Sequence, residues 1–265
     1  MKGHNSRDDQ RMSNVSQHVN SSAGQGYAAL SNVARFFTLI QTLQDRGANL
    51  PGIGVFHGKS GFGKTIAAIF AQNKTRALRL EVGDSWTKKK FLEKLLAEAG
   101  VAARRGSIAD LTEWSIEALA DDFSRPLIID EADKLVDKGM IELVREIYEH
   151  AQVPVLLIGE EMLPEKLMKV ERVHNRVLSW VQAQPCSVED AQKLAQLYCP
   201  DLHVSPELIH LIVEKSEGRA RRICVNLNLI LQEARVSGAD DLGVDHFSAG
   251  FFYTGEPRRI GRRAA

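Results

Sequence analysis

The stretch Gly58-Lys59-Ser60-Gly61-Phe62-Gly63-Lys64-Thr65 decides the fold. It has the form G-x-x-x-x-G-K-T, a loop whose glycines let the backbone curl until successive N–H groups point inward at phosphate oxygens. Its flanks supply the context that the motif needs. Ile53-Gly54-Val55-Phe56 before it is a short apolar run expected as a buried strand, and residues 65–73 after it have a helical pattern. A helix N-terminus adds a dipole that favours anions. Gly58 through Thr65 are therefore expected to bind a nucleotide, with Lys64 on the β- and γ-phosphates and the Thr65 hydroxyl on Mg²⁺.

Outward from this loop, strands and helices alternate. Leu78, Leu80 and Val82 alternate with Arg79 and Glu81, a second strand; Leu127-Ile128-Ile129 and residues 153–158 are apolar runs suited to buried strands. Helical patterns occupy residues 86–99, 111–123 and 140–150. An earlier one covers 27–46, with Leu30, Val33, Phe37, Ile40 and Leu43 on one face, and Gly47 and Pro51 end it. This order predicts an α/β layered domain with a mostly parallel sheet. After Pro185 the pattern is helical only, at 188–198, 206–216 and 219–236. Ser187 with Asp190 makes a capping box, and Ser205 precedes a first-turn proline, Pro206. The expected organisation is a disordered arm over 1–26, an α/β domain over 27–185, a small helical domain over 186–250 and a basic tail over 251–265.

The third strand ends in Asp130-Glu131. Beside a phosphate-binding loop, an Asp here holds Mg²⁺, usually through water, and the next carboxylate can polarise a water attacking the γ-phosphate. Hydrolysis of ATP, rather than binding alone, explains the second carboxylate. The run Asp130-Glu131-Ala132-Asp133 also spells the box of a helicase family. No other helicase motif is evident, so the spelling reads as coincidence.

Composition narrows the rest. The 265 residues are 44% hydrophobic and 26% charged, ordinary for a soluble globular chain. No run approaches the ~20 apolar residues of a membrane span, and the polar N-terminus lacks the apolar core of a signal peptide. A cytoplasmic protein without a membrane partner is expected. Cys186, Cys199 and Cys224 form no metal spacing, and an odd, sparse count suits a reducing compartment.

On these motifs the chain resembles AAA+ ATPases: phosphate-binding loop, acidic strand end, then a helical lid. The lid segment Ser216-Glu217-Gly218-Arg219-Ala220-Arg221-Arg222 is similar to the second sensor motif, G-x-x-R, and the resemblance implies that Arg221 contacts nucleotide. Val173-His174-Asn175-Arg176-Val177 is similar to the segment that bears the arginine finger in initiator-type members. This implies that Arg176, with Arg172 as a competitor one turn earlier, reaches a neighbouring subunit's site. With Val153-Pro154-Val155-Leu156-Leu157-Ile158-Gly159-Glu160-Glu161 between them, order and spacing look most like the phage Mu B-type transposition ATPases, over about residues 27–250. Two departures stand out. Glu160 occupies the neighbourhood of the usually small polar first sensor and is given no role, and only a short arm precedes the ATPase core. Any DNA contact then falls to the core or the tails.

The 34 Lys+Arg balance the 34 Asp+Glu, which first reads as evidence against a nucleic-acid partner. By segment the charge separates. Residues 86–105 carry a net of four positive charges and residues 130–149 a net of four negative charges. Lys74, Arg76 and Arg79 form a second basic group, and Arg258, Arg259, Arg262 and Arg263 a third. With the resemblance, Lys88, Lys89, Lys90, Arg104 and Arg105 become the candidate contacts to double-stranded DNA, while opposite patches suit self-assembly into a ring or helical filament. The leading expectation is an ATP- and Mg²⁺-dependent DNA-binding ATPase that assembles on target DNA and recruits or activates a transposase, in a bacterial cytoplasm and possibly phage-encoded. The alternatives are a loader or secretion-linked ATPase acting on a protein without DNA, and a nucleotide-sensing switch that hydrolyses poorly.

Overall fold

The computed structural model describes residues 30–102, 105–248 and 250–256. The expected arm over residues 1–26, Arg104 and the tail arginines 258, 259, 262 and 263 lie outside the described residues. The chain divides into two compact units, one containing Ser31–Gln184 and the other running from Pro185 onward.

In the first unit the order is α1 (Ser31–Gln44), β1 (Ile53–His57), α2 (Lys64–Thr75), β2 (Leu78–Glu81), α3 (Lys88–Glu98), α4 (Ile108–Ala120) and β3 (Leu127–Asp130). There follow α5 (Asp133–Asp137), α6 (Ile141–Ala151), β4 (Val155–Gly159), α7 (Leu163–Met168), α8 (Glu171–His174) and β5 (Val177–Gln182). The five strands form one sheet in the order β2-β3-β4-β1-β5, and every pairing is parallel. All five carboxyl ends therefore share one edge, where open parallel sheets bind ligands.

Helices cover both faces, so the strands are apolar on both sides rather than alternating. On one face Ile53, Val55, Leu78, Leu80, Leu127, Ile129, Val155 and Leu157 join Phe91, Leu92, Leu95, Leu111 and Ile147 in a single core. On the other, Gly54 lies against Leu39 and Leu43 of α1, and the Phe56 ring packs 5.2 Å from that of Phe36. Each such buried side chain contributes about 1.5–3 kcal/mol, against a net of about 1 kcal/mol for a backbone hydrogen bond. The two apolar layers, more than the ladder, hold the sheet. Val33, Ile40 and Leu43 of α1 are buried as expected, but its buried phenylalanine is Phe36 rather than Phe37, which is half-buried, edge-on to Phe70.

Strand β5 was not anticipated from the sequence. It is an edge strand of Val-Leu-Ser-Trp-Val-Gln, half-buried along its length, so it shows neither an apolar run nor clean alternation. The short helices α5, α7 and α8 were also unforeseen. At four to six residues they are too short to show a period.

The second unit contains α9 (Val188–Tyr198), α10 (Pro206–Lys215) and α11 (Ala220–Ser237). Two-residue strands β6 (His203–Val204) and β7 (Asp241–Leu242) pair in parallel, a small departure from the all-helical expectation. Ser187 and Asp190 form the reciprocal capping box of α9, and Ser205 Oγ accepts the Leu208 N–H at the start of α10. The segment around Tyr253 is fastened by Asn226 of α11, fully buried, which accepts the Tyr253 N–H at 2.7 Å and donates to the Tyr253 carbonyl at 3.1 Å.

Candidate nucleotide site

The loop of residues 58–63 connects β1 to α2 at the carboxyl edge of the sheet, the placement expected from the sequence. Three glycines of the loop lie at positive φ, the region that favours glycine: Gly58 at 150°, Gly61 at 87° and Gly63, which caps α2, at 82°; a Cβ on Gly58 would also press on Ala183 at 3.2 Å. Lys64 Nζ donates to the Gly58 carbonyl at 2.6 Å and the Lys59 carbonyl at 3.0 Å, so its ammonium lies within the curl of the loop. Burial pushes the Lys64 pKa down, opposed by the carboxylates of Asp130, Glu160, Glu131 and Asp133. Asn32 of α1 supports the loop from behind. Its Nδ2 donates to the Phe62 carbonyl at 2.8 Å and the Gln184 carbonyl at 2.7 Å, while its Oδ1 accepts the Gln184 N–H at 2.9 Å.

Asp130, at the end of β3, is almost completely buried. Burial pushes its pKa up, and a hydrogen bond from Thr65 opposes that rise. Its Oδ1 also accepts the Glu131 N–H at 3.0 Å. This pairing of a hydroxyl with a carboxylate is a hard oxygen donor set that fits Mg²⁺, and the two come together from α2 and β3. Glu131 follows in the left-handed region at φ 59°, with its carboxylate 3.5 Å from Lys134 Nζ. A non-glycine residue held there departs from the ordinary backbone, at the position that the sequence offers as a candidate catalytic carboxylate.

The next strand end adds a link that has no signal in the sequence. Asp133, from the run read as a coincidental spelling, is buried, and its Oδ2 accepts the Glu160 N–H at 2.6 Å. It thus ties the turn after β3 to the turn after β4. Its burial was legible only as an acidic residue in the first turn of a helix too short to recognise.

Arg79 also departs from expectation. Counted in a surface basic group, it instead lies 3.4 Å from Asp130 Oδ2 with its side chain mostly buried. Arg76 of the same group is exposed and faces Asp122, and Lys74 is exposed. The candidate DNA residues Lys88, Lys89 and Lys90 form the exposed first turn of α3, capped by Thr87, and Arg105 is exposed.

Arg176 stands between α8 and β5 and donates from Nε and Nη2 to Glu149 at 2.9 and 2.8 Å. Its carbonyl accepts the Ile53 N–H, so its backbone lies at the amino edge of the sheet, the length of β1, about 17 Å, from the loop of residues 58–63. It borders a cleft of about 540 Å³ lined also by Arg145, Glu149, Glu171, Arg172 and Asn175. In the second unit, Glu217 occupies the guanidinium groups of Arg219 at 3.3 Å and Arg222 at 3.1 Å, whereas Arg221 is exposed in the first turn of α11. No helix among the described residues is long and apolar enough to cross a membrane.

A family model described as AAA domain matches residues 48–167. No curated protein matches the chain in sequence. Among solved structures, the chain is similar to Orc1 of Aeropyrum pernix, solved in complex with DNA, at TM-score 0.61 and 16% identity over 85% of this chain and 66% of that one. It is similar to Cdc6p of Pyrobaculum aerophilum at TM-score 0.61 and 13% identity, over 88% and 68% respectively. It is also similar to the Holliday junction branch migration motor RuvB of Thermotoga maritima at TM-score 0.56 and 18% identity, over 82% and 67%. The chain thus spans about two thirds of the length of each. These matches support an AAA domain and its fold; they do not confirm the resemblance to the phage Mu B-type family. Residues 48–167 match the model of an AAA domain, and the chain has an α/β fold like that of these solved structures, with a helical portion following in sequence.

Proposed function

We propose that the chain is an ATP-hydrolysing, DNA-binding AAA+ ATPase that assembles on target DNA and recruits or activates a transposase. The observation that carries the ATPase reading is the meeting of the Thr65 hydroxyl with the buried Asp130 carboxylate beside Lys64. Gly58, Lys59, Ser60, Gly61, Phe62 and Gly63 offer backbone N–H groups to the phosphates. Lys64 supplies the cation on the β- and γ-phosphates. Thr65 and Asp130 would hold Mg²⁺, which when bound neutralises charge on the phosphates. Glu131 orients and polarises the attacking water. Arg176 acts as the finger toward a second copy, and its position at the amino edge of the sheet, far from its own loop, supports a role in trans. Arg221 acts as the nucleotide-sensing arginine of the helical lid.

The DNA reading rests on the three exposed lysines at the start of α3, joined by Arg105. Repeated around a ring or filament, they form a basic track that neutralises phosphates without reading sequence. The transposition role rests on the motif order and spacing shared with the Mu B-type ATPases. Sedimentation with ATP, with duplex DNA and with both tests the assembly: a species larger than either ligand gives alone is expected. Its absence, or DNA affinity indifferent to salt, turns the reading toward a protein-directed loader. Pull-down of a candidate transposase, dependent on ATP and DNA together, tests the finer role.

A further inference from the structure

Arg79 has no part in the roles above, yet it touches the centre of the site. Leu78 and Leu80 of β2 enter the core, so Arg79 and Glu81 point to the opposite face, in register with Ile128 and Asp130. The guanidinium sits 3.4 Å from Asp130 Oδ2 and 3.5 Å from Glu81 Oε2. These partners differ sharply in environment. The Asp130 side chain is 4% exposed and that of Glu81 58%, with Arg79 between them at 17%.

Two demands meet at Asp130. A carboxylate this deeply buried is costly without a counter-charge, and Arg79 supplies one. A guanidinium and a divalent cation on the same carboxylate repel each other in a poorly solvated setting. Glu81 offers Arg79 another anion at no added distance.

We propose that Arg79 is a movable counter-ion: it holds Asp130 when no nucleotide is bound and moves to Glu81 when Mg²⁺–nucleotide binds. The Arg79–Glu81 pair is then a positioning device that sets how strongly nucleotide affinity depends on Mg²⁺. The inference rests on the assignment of Asp130 to the Mg²⁺ side of the site.

The test measures affinity for a fluorescent ATP analogue with the full chain, once in excess Mg²⁺ and once in EDTA. The readout is the ratio of the EDTA dissociation constant to the Mg²⁺ dissociation constant. Arg79→Gln removes the competing cation and raises the ratio about tenfold, whereas Glu81→Gln leaves Arg79 nowhere else to go and lowers it about threefold. The double variant follows Arg79→Gln, because Glu81 acts only through Arg79. Variants that stay within about twofold of the wild type, or that move the same way, overturn the proposal. Should Arg79→Gln fail to fold, Glu81→Gln, altered at an exposed side chain, decides alone: an unmoved ratio overturns it. A wild-type ratio of one overturns the Asp130 assignment itself, a different result from a ratio above one that the variants do not shift.

Discussion

The Asp133 carboxylate accepts the Glu160 backbone N–H at 2.6 Å, joining two turns at the carboxyl edge of the sheet that are 27 residues apart in sequence. The other oxygen, Oδ1, lies 3.7 Å from Lys166 Nζ. Gly159 makes this approach possible, since a Cβ there would collide with Oδ2. Asp133→Ala leaves the Glu160 N–H without its acceptor and should cost about 1–3 kcal/mol. Asp133→Asn keeps an acceptor oxygen and should cost less than half of that. Urea denaturation of the three proteins measures it, and equal midpoints for wild type and Asp133→Ala would show that the link stabilises nothing.

Lys64 and Glu131 should separate binding from turnover. Lys64→Ala removes the cation enclosed by the loop and should weaken ATP binding about tenfold or more. Glu131→Gln preserves the size of the side chain and leaves the loop intact, so ATP binding should persist while hydrolysis falls about 10²-fold or more. Equilibrium dialysis with ATP, alongside phosphate release, distinguishes the two. A Glu131→Gln protein with unchanged turnover would favour the poorly hydrolysing switch.

Arg176 should matter to catalysis far more than to folding. Its bond to Glu149 is partly solvent-exposed, the setting in which ion pairs contribute about 0–1 kcal/mol. Burial acts against ionised Glu149, but Arg145 and Arg176 together hold its pKa below the usual range. Arg176→Ala should melt close to wild type yet lose about 10³-fold in turnover if it completes a neighbour's site. Mixing it with Glu131→Gln is the sharper assay. Each variant lacks what the other keeps, so interfaces that pair an intact site with an intact finger should regain activity. Activity that stays at the level of the separate variants would count against a role in trans.

His57 ends β1 immediately before the loop, and burial lowers its pKa below 6.5, with the Lys64 ammonium acting in the same direction. Asp133 and Glu161 oppose this, but the net shift is downward. The folded protein therefore disfavours protonated His57. The stability it contributes is fully present above pH 6.5, the unfolded value, and is lost as pH falls through the lower folded value. Unfolding free energy should decline as pH falls from 6.5 through the lower folded value, and His57→Asn should flatten the decline. An identical pH profile in the variant would assign the loss to other groups.

The phosphate-binding loop, its strand and helix, the acidic end of β3 and the main helices of the second unit were legible because each has a local signal. A glycine pattern, an apolar run or a cap followed by a period of three to four is written in adjacent residues. Residues whose importance comes from the fold were not legible. Arg79 read as surface charge because nothing in its neighbourhood foretells that β2 pairs with β3 in the register that brings it to Asp130. Asn32 lies 30 residues before the carbonyl it supports. Asp133 carried no signal of its own, since its partner is a backbone N–H, a group present at almost every position. Edge strand β5 lost its signal because half-buried residues follow no clean alternation.

Asn226 offers a test of the second unit alone. It is fully buried, and its amide is satisfied by Ser216 Oγ at 3.0 Å and by both backbone groups of Tyr253. The Tyr253 N–H and carbonyl need a partner carrying both a donor and an acceptor, which an amide provides and a carboxylate or a hydrocarbon does not. Asn226 of α11 thus joins Ser216, four residues before that helix begins, to the segment around Tyr253, on the helix whose first turn carries Arg221 and Arg222. Asn226→Leu, close in volume, strands these groups and should cost about 2–4 kcal/mol, whereas Asn226→Gln should recover part of it. Limited proteolysis complements the melting curve. Cleavage near residues 250–256 should accelerate in Asn226→Leu well before global unfolding, and unchanged cleavage would mean that the aromatic contacts among Phe247, Phe251 and Phe252 hold this segment without Asn226.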